Sequence, residues 1–565
     1  MLENLQTDLF LFLSDNFIQF QLILILLILI YYLIIFPVTS PLWKIPGPYL
    51  HRISFLPSLN SQRRGTWIQK VYNLHLKYGN VVVLSPNEIS CTGDFKYVND
   101  IYVKNMPKSD FYKGFTNHGG KQNIFTCLEA DQHLKFKKMI YGLYLKTSVF
   151  SKESKTRKML TECTQKLMTS VYKSSVYGEQ PDLLNVRNDL NLNGKGHRNP
   201  NWFNKSKNKN NLGIDTYTLF GSLTMDVVSR FELGYENGTN LIENPNQRNI
   251  LLNFRQVSSM QFYTALLPQY WNLAASKLIL KSADVICNFQ INLYKMAEKN
   301  KNNTGKTTLT TLHSFGFHNE DAYSFITDQL SAGHETTAII LTYICYELSR
   351  PANEKIRLRL LQELNVYFGK ASSDDDLIDD VDIIDNLPYL NAIIEENLRI
   401  HTPIPGAEPR LTDKPYLIPE LNTLIPKGTI ISCLPFALHR TKTVFPNHDK
   451  FIPERWLKYD YESPEEFQKR LINQRRFMMP FGKGIRMCLG MNLALIEIKL
   501  AIANLYWKFH SKLDIDWCNE IKTNDMPIKL SNKSNNTNDQ EMMTMYDSYT
   551  IRPFNDECWL RWYKN

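Results

Sequence analysis

Paired cysteines, internal repeats and dinucleotide loops are all missing from this chain. Nine cysteines are scattered along 565 residues, at 91, 127, 163, 287, 345, 433, 488, 518 and 558, and none forms a C-x-x-C. An odd, unpaired set argues against a disulfide framework or a structural zinc site and suits a reducing compartment. The nearest approach to a dinucleotide loop, Gly482-Lys483-Gly484, has Met487 where the last glycine belongs and no apolar strand before it. No flavin or nicotinamide site is therefore expected on the chain itself. The formal net charge of +9 is too diffuse to imply nucleic acid. A basic surface facing an anionic membrane or an acidic protein is the better reading. Residues 1–16 lack Lys and Arg, and neither the basic start nor the small-residue cleavage site of a signal peptide is clear.

What is present is a chain with 43% hydrophobic residues, ample for a large core. Length alone would allow several domains, but the motifs below span most of the chain and predict one anchor and one large domain. Residues 17–36 read FIQFQLILILLILIYYLIIF. Twenty residues in a helix cover about 30 Å, the hydrocarbon thickness of a bilayer, so a retained transmembrane anchor is expected. Glu3, Asp8 and Asp15 precede it, whereas Lys44, Arg52, Arg63, Arg64 and Lys70 follow. The positive-inside rule then puts residues 1–16 in the lumen and the remainder in the cytosol, as for a single-pass protein of the endoplasmic reticulum. On that topology the sequons at Asn204, Asn237, Asn302, Asn532 and Asn535 stay unglycosylated. Pro37, Pro41, Pro46 and Pro48 are expected to stop the helix and stiffen a hinge over 37–50.

Beyond the hinge, residues 66–78 read as an amphipathic helix. Residues 80–84 and 88–91 read as two short strands around Ser85-Pro86-Asn87. From about residue 124 helical patterns dominate, which predicts a mainly α protein with a small β region. Segments 185–212, 299–306 and 530–540 are polar with little apolar periodicity and read as exposed inserts in a domain covering 51–565.

The most informative residue is Cys488, in Phe481-Gly482-Lys483-Gly484-Ile485-Arg486-Met487-Cys488-Leu489-Gly490, ahead of an amphipathic run over 491–500. Gly484 permits a tight turn at φ > 0. Backbone N–H groups at the start of the next helix can point at the sulfur and favour its thiolate. Arg486 offers a permanently charged fork for a carboxylate.

These ten residues match F-x-x-G-x-R-x-C-x-G, and from about Pro46 to the C-terminus the chain resembles the cytochrome P-450 family. The resemblance implies the fold of that family behind one N-terminal transmembrane helix. It also implies haem b with Cys488 as the axial thiolate, and Phe481, Gly484 and Arg486 at the cofactor. Arg410, in Gly406-Ala407-Glu408-Pro409-Arg410, matches a position that binds a haem propionate. His133 and Lys137 stand where relatives carry W-x-x-x-R; both can still donate to a propionate, lysine only as a point charge. Glu396 and Arg399 form E-x-x-R ahead of Phe451-Ile452-Pro453-Glu454-Arg455-Trp456, which resembles F-x-P-E-R-F with Trp in the last place. In relatives such residues form a network, here Glu396, Arg399 and Arg455, that supports the cysteine loop.

Residues 320–350 read as one long helix whose middle is Ala332-Gly333-His334-Glu335-Thr336-Thr337. Gly costs about 1 kcal/mol relative to Ala in a helix interior, and threonine hydroxyls compete for i−4 carbonyls. A local opening of the helix is expected. The pattern matches the family's oxygen-activation motif, which makes Thr336 the hydrogen-bonding alcohol and Glu335 the acid of a proton relay. His334 reads as local polar packing rather than an iron ligand.

The implied activity is that of a monooxygenase hydroxylating a hydrophobic small molecule, similar to fungal enzymes of secondary metabolism or detoxification. NADPH would act only through a separate flavoprotein reductase, with a b-type cytochrome as a further candidate donor. Lys135, Lys138 and Lys483 are the expected docking face. The pocket is expected from residues 111–115, Phe325, Gln329, 403–407 and part of 261–270. A haem-thiolate isomerase or dehydratase of pre-oxygenated lipids, and a non-catalytic haem- or lipid-binding membrane protein, are the alternatives. The Glu335-Thr336 pair speaks against both.

Overall fold

A computed structural model describes residues 17, 19–117, 120–177, 213–267, 269–300, 305–514, 517–518, 539–540, 543–553 and 556–565. The insert expected at 185–212, most of that at 530–540 and the centre of that at 299–306 lie outside the described residues, as do residues 1–16 and the sequons other than Asn237. Asn237 is buried, and its side-chain amide donates to the Leu233 carbonyl at 2.9 Å. Its lack of a glycan would follow from packing whatever the topology. The end of the third insert is not loose: Asp539 accepts from Tyr346 Oη at 3.0 Å and from Arg350 Nε at 2.9 Å.

The N-terminal helix α1 (Gln19–Thr39) has a mean hydropathy of 2.9 and is long and apolar enough to cross a membrane; almost none of it is buried against the protein. It runs past the expected end at residue 36, because Pro37 does not stop it. A wider turn over Tyr31–Ile35 pairs the Phe36 N–H with the Tyr31 carbonyl, five residues back, and the N–H that Pro37 lacks falls just beyond that shift in pairing. The chain leaves the helix at Ser40 and does not dangle. Arg52 Nη1 donates to the Leu42 and Trp43 carbonyls at 3.0 and 2.8 Å. Its Nη2 holds the Ile45 carbonyl at 2.5 Å. Ile45 is fully buried, and Val83 N–H donates to the Pro46 carbonyl at 2.9 Å.

The β region is as expected. Helix α2 (Trp67–Tyr78) leads into β1 (Val81–Ser85) and β2 (Glu88–Cys91), antiparallel across the Pro86-Asn87 turn. β2 continues in parallel to β5 (Ile430–Cys433), which carries β4 (Arg410–Leu411) at the edge. A second sheet joins β3 (Ile214–Asp215), β9 (Trp559–Lys564) and β6 (Phe509–Leu513). A hairpin of β7 (Met545–Ser548) and β8 (Thr550–Pro553) turns at Tyr549.

The rest is helical and packs into one hydrophobic core. At its centre α4 (Thr216–Leu233) lies against α6 (Asn319–Ser349). Helix α6 is continuous through Gly333-His334-Glu335-Thr336, so the expected opening is not there. Gly333 has a different reason to be glycine: a Cβ there would lie 2.6 Å from Val228 Cγ2 on α4. The close approach is fixed by Thr224 Oγ1 donating to the His334 carbonyl at 2.6 Å. The threonine competition does occur, since Thr336 Oγ1 donates to Ala332 O at 2.8 Å, but without breaking the helix.

Candidate active site

The cysteine loop joins the helix Pro464–Phe477 to α8 (Met491–Lys508). Cys488 N–H donates to the Phe481 carbonyl at 2.8 Å and closes the loop. Gly482 and Gly484 take φ values of +70° and +69°, and a side chain at Gly484 would collide with the Tyr102 carbonyl. Here the requirement for glycine is both torsional and steric. The Cys488 thiol is accessible although it lies deep beneath the molecular surface. Ala332, in the middle of core helix α6, is accessible too. These two bare positions mark an internal cleft. Burial pushes the Cys488 thiol up; the N–H groups of Gly490 and Met491 and the charge of Lys137 pull the other way. The amides at the start of α8 thus do point at the sulfur.

Beside the loop four nitrogen-bearing side chains converge. His133 is buried on α3 (Ala130–Ile140), with Nδ1 unpartnered among the described residues. Arg410 Nη1 donates to Tyr112 Oη at 2.6 Å, while its Nε has no acceptor. Arg486 gives Nη1 and Nη2 to the carbonyls of Cys127 and Leu128, each at 2.7 Å, and its Nε is unpartnered among the described residues. Two of its five N–H bonds thus tie the cysteine loop to the segment before α3. Lys108 is buried, hydrogen-bonded to the Phe125 carbonyl and 4.1 Å from the Tyr112 ring centre. Burial, then the charges of Arg410 and Arg486, push Lys108 down to about 7. Burial, Arg486 and Lys108 push His133 down to about 3. So many desolvated donors in mutual repulsion make a receptor for carboxylates. Lys137 Nζ donates to the Ile485 carbonyl at 2.8 Å and props the cysteine loop.

Helix α6 carries Glu335 and Thr336 about one turn after Ala332. Burial raises the Glu335 carboxyl, against the opposing pull of Arg552, Thr550 and Arg255. Glu335 and His334 border a small cavity lined also by Tyr217, Leu251 and Arg255, and the buried Tyr217 hydroxyl is unpartnered among the described residues. His334 itself packs, with Nδ1 on the Leu330 carbonyl at 2.9 Å and its ring 4.6 Å from Phe254.

A family model described as Cytochrome P450 matches residues 198–537, more than half of the chain. The chain belongs to the cytochrome P450 family. Among its curated relatives are the cytochrome P450 monooxygenase orf2 of Aspergillus niger, 26% identical over 82% of this chain and 85% of that protein; the cytochrome P450 monooxygenase BOA3 of Botryotinia fuckeliana, 24% identical over 85% and 88%; and the cytochrome P450 monooxygenase astA of Talaromyces wortmannii, 24% identical over 84% and 87%. The chain is a P450 monooxygenase, and its mainly helical fold with small sheets is that of the family.

A P450 carries haem bound through a thiolate, and the residues present fit it. The accessible Cys488 backed by two amides suits the thiolate. The orphaned donors of His133, Arg410 and Arg486, with Lys108, suit two carboxylates. Lys108 was not foreseen from the sequence: it stands in an ordinary loop, and only the fold brings it to Arg410.

The helix α7 (Pro388–Ile400) brings the expected network together. Arg399 pairs with Glu396 at 2.9 and 2.8 Å, and Arg455 Nε lies 3.0 Å from the same carboxylate. Trp456 Nε1, in the place of the family's phenylalanine, donates to Glu396 at 3.0 Å. The substitution thus adds a donor that phenylalanine lacks. Burial pulls the Glu396 carboxyl up, but Arg399 and Arg455 outweigh it and leave it below the usual carboxylate range. His439 links this network to the loop: its Nδ1 meets the Arg399 carbonyl at 3.2 Å, and its Nε2 accepts from Met479 N–H at 2.8 Å. That pattern fixes a neutral ring with the proton on Nδ1, in keeping with burial and Arg440 pushing it down to about 3.

Two other expectations change. Phe325 is buried against Phe136 and Phe317, with ring centres 5.1 and 5.5 Å away, so it belongs to the core and not to the pocket. Lys483 donates to the Arg475 carbonyl at 2.9 Å, which leaves Lys135 and Lys138 as the freely exposed members of the basic face.

Proposed function

We propose that the protein hydroxylates a hydrophobic small molecule, using electrons delivered by a separate NADPH-dependent flavoprotein reductase, while held at the endoplasmic reticulum by α1 with residues 1–16 in the lumen. When bound at Cys488, haem supplies the chemistry that activates O2, places one oxygen atom in a C–H bond and reduces the other to water. The accessible Cys488, with the N–H groups of Gly490 and Met491 at its sulfur, is the observation that supports this reading.

The residues divide the work. Gly490 and Met491 favour the thiolate through their N–H groups, against the burial that opposes it. Lys108, His133, Arg410 and Arg486 bind the carboxylates of the cofactor. Glu335, its carboxyl raised by burial, holds a proton and passes it toward the cleft. Thr336 turns its hydroxyl from the Ala332 carbonyl to donate into the cleft. Lys135 and Lys138 form the basic face that an acidic reductase meets.

Reconstitution with NADPH and a flavoprotein reductase tests the whole. Substrate-dependent NADPH consumption that falls at low salt when Lys135 and Lys138 are reversed to Glu is expected. Consumption that no reductase supports would overturn the reading. Thr336→Ala is expected to keep its cofactor and to lose product per O2 by about 100-fold, the low end for a lost proton-transfer group, with hydrogen peroxide released instead. Tight coupling in that variant, measured as product against O2 consumed, would remove Thr336 from the relay.

A further inference from the structure

The cavity bordered by Glu335 and His334 is built where three helices meet. Tyr217 and Gly221 come from α4, Leu251 and Arg255 from the helix Asn249–Ser258, and His334 and Glu335 from α6. Close contacts fix its walls. Thr224 on α4 holds the His334 carbonyl at 2.6 Å. The Arg255 guanidinium lies 4.0 Å from the Tyr217 ring centre, and its Nη1 donates to Thr218 Oγ1 and to the Asp556 carbonyl, both at 3.1 Å. Gly221 keeps the space open: a Cβ there would stand 3.2 Å from Leu251 Cδ1 and 3.8 Å from Arg255 Nη2.

The cavity has room for about one water. Its lining is not the apolar one that stays dry. Tyr217 is buried, and its hydroxyl has no partner among the described residues. A hydroxyl taken out of water without a partner is costly unless something completes it. Burial and the charge of Glu335 both keep that hydroxyl protonated, so it is a standing donor. A hydroxyl, a guanidinium and a carboxyl around one water-sized space supply the two to four polar partners that a buried water takes. We propose that this cavity is the binding site of one ordered water that links Tyr217 Oη to the Glu335 carboxyl, which makes Tyr217 and Gly221 positioning residues of the proton relay. The water orients the carboxyl and sets how tightly it holds its proton. This deepens the function proposed above and rests on its assignment of Glu335 to the relay.

The charged and titratable groups that face Glu335 are Tyr217 on α4, Arg255 on the helix Asn249–Ser258, and Arg552 and Asp556 at and after β8, with Thr550 hydrogen-bonded to it and His334 beside it on α6. A water that donates to the carboxylate stabilises its charged form. Removing the water therefore raises the pH at which Glu335 loses its proton, by about one unit for one hydrogen bond to a charged group.

The test uses the full-length holoprotein as its reduced carbon monoxide complex. It reads the infrared carbonyl stretch of the protonated Glu335 carboxyl, identified by its loss in Glu335→Gln. Two variants remove the water by different routes. Tyr217→Phe takes away the hydroxyl that holds it, and Gly221→Ala fills the space while leaving Tyr217 and Glu335 in place. Both should move the band to higher wavenumber, as a carbonyl moves on losing a donor, and both should keep it to a pH about one unit above that of the wild type. A band and titration unchanged in both variants would overturn the proposal. So would a response to Tyr217→Phe alone, because a filled cavity cannot hold the water. Hydrogen peroxide released per NADPH with a reductase, compared between wild type and Glu335→Gln, reads the relay separately. If that ratio is the same in both while the band still answers to the two variants, the relay reading fails and the water site stands.

Discussion

A Cys488→Ala variant is expected to lose entirely the red-shifted Soret band that a thiolate ligand gives to the reduced carbon monoxide complex. No other cysteine can replace it. Cys127 is buried before α3 and has its own hydrogen bond to the Glu129 carbonyl. Cys91 and Cys433 are sealed in the first sheet. Only Cys488 has amides of a following helix aimed at its sulfur and open space before it. The fold should survive, because the loop is closed by the backbone bond from position 488 to Phe481 and by the glycine turns, none of which needs the thiol. The measurement is therefore a spectrum on a protein whose circular dichroism is unchanged. A normal red-shifted band in that variant would remove Cys488 from the metal.

The second large effect concerns stability. Glu396→Gln keeps the shape of the side chain but leaves Arg399 and Arg455 buried without their counter-charge. Removing one member of a buried ion pair costs about 3–5 kcal/mol, a large share of the stability of an ordinary domain. The variant should unfold at much lower denaturant and retain little haem. The exposed pair of Arg359 and Glu454 is the control; its loss should cost no more than about 1 kcal/mol. The pH dependence has a definite sign. The folded pKa of Glu396 lies below its unfolded value, so the contribution is complete at neutral pH and is lost as pH falls through the folded pKa. In the Gln variant that part of the acid limb should disappear. Acid curves that superimpose for the two proteins would show that Glu396 is not the group responsible.

Much of this was legible in the sequence because it is local. The cysteine loop, the E-x-x-R turn and the two strands around Pro86 are runs of adjacent residues whose geometry follows from spacing. Long-range arrangements were not. Lys108 and His439 stand in stretches without pattern, and each acquires its meaning from residues far away in the chain. Gly333 shows how a local rule can mislead. Its low helix propensity suggested an opening, whereas the demand came from Val228 on a neighbouring helix. Arg486 shows what spacing alone leaves out for a side chain: the fold also uses it to hold the carbonyls of Cys127 and Leu128.

The way Arg52 clasps the carbonyls of residues 42, 43 and 45 has a practical side. A soluble version cut just after Pro46 would discard the strap whose carbonyl caps Val83 and would uncover the pocket that Ile45 fills. A cut near Ser40 would remove the greasy segment and keep the seal. If α1 sits in a bilayer, as proposed above, the same clasp would leave little slack between lipid and body and would set the height and tilt of the folded part.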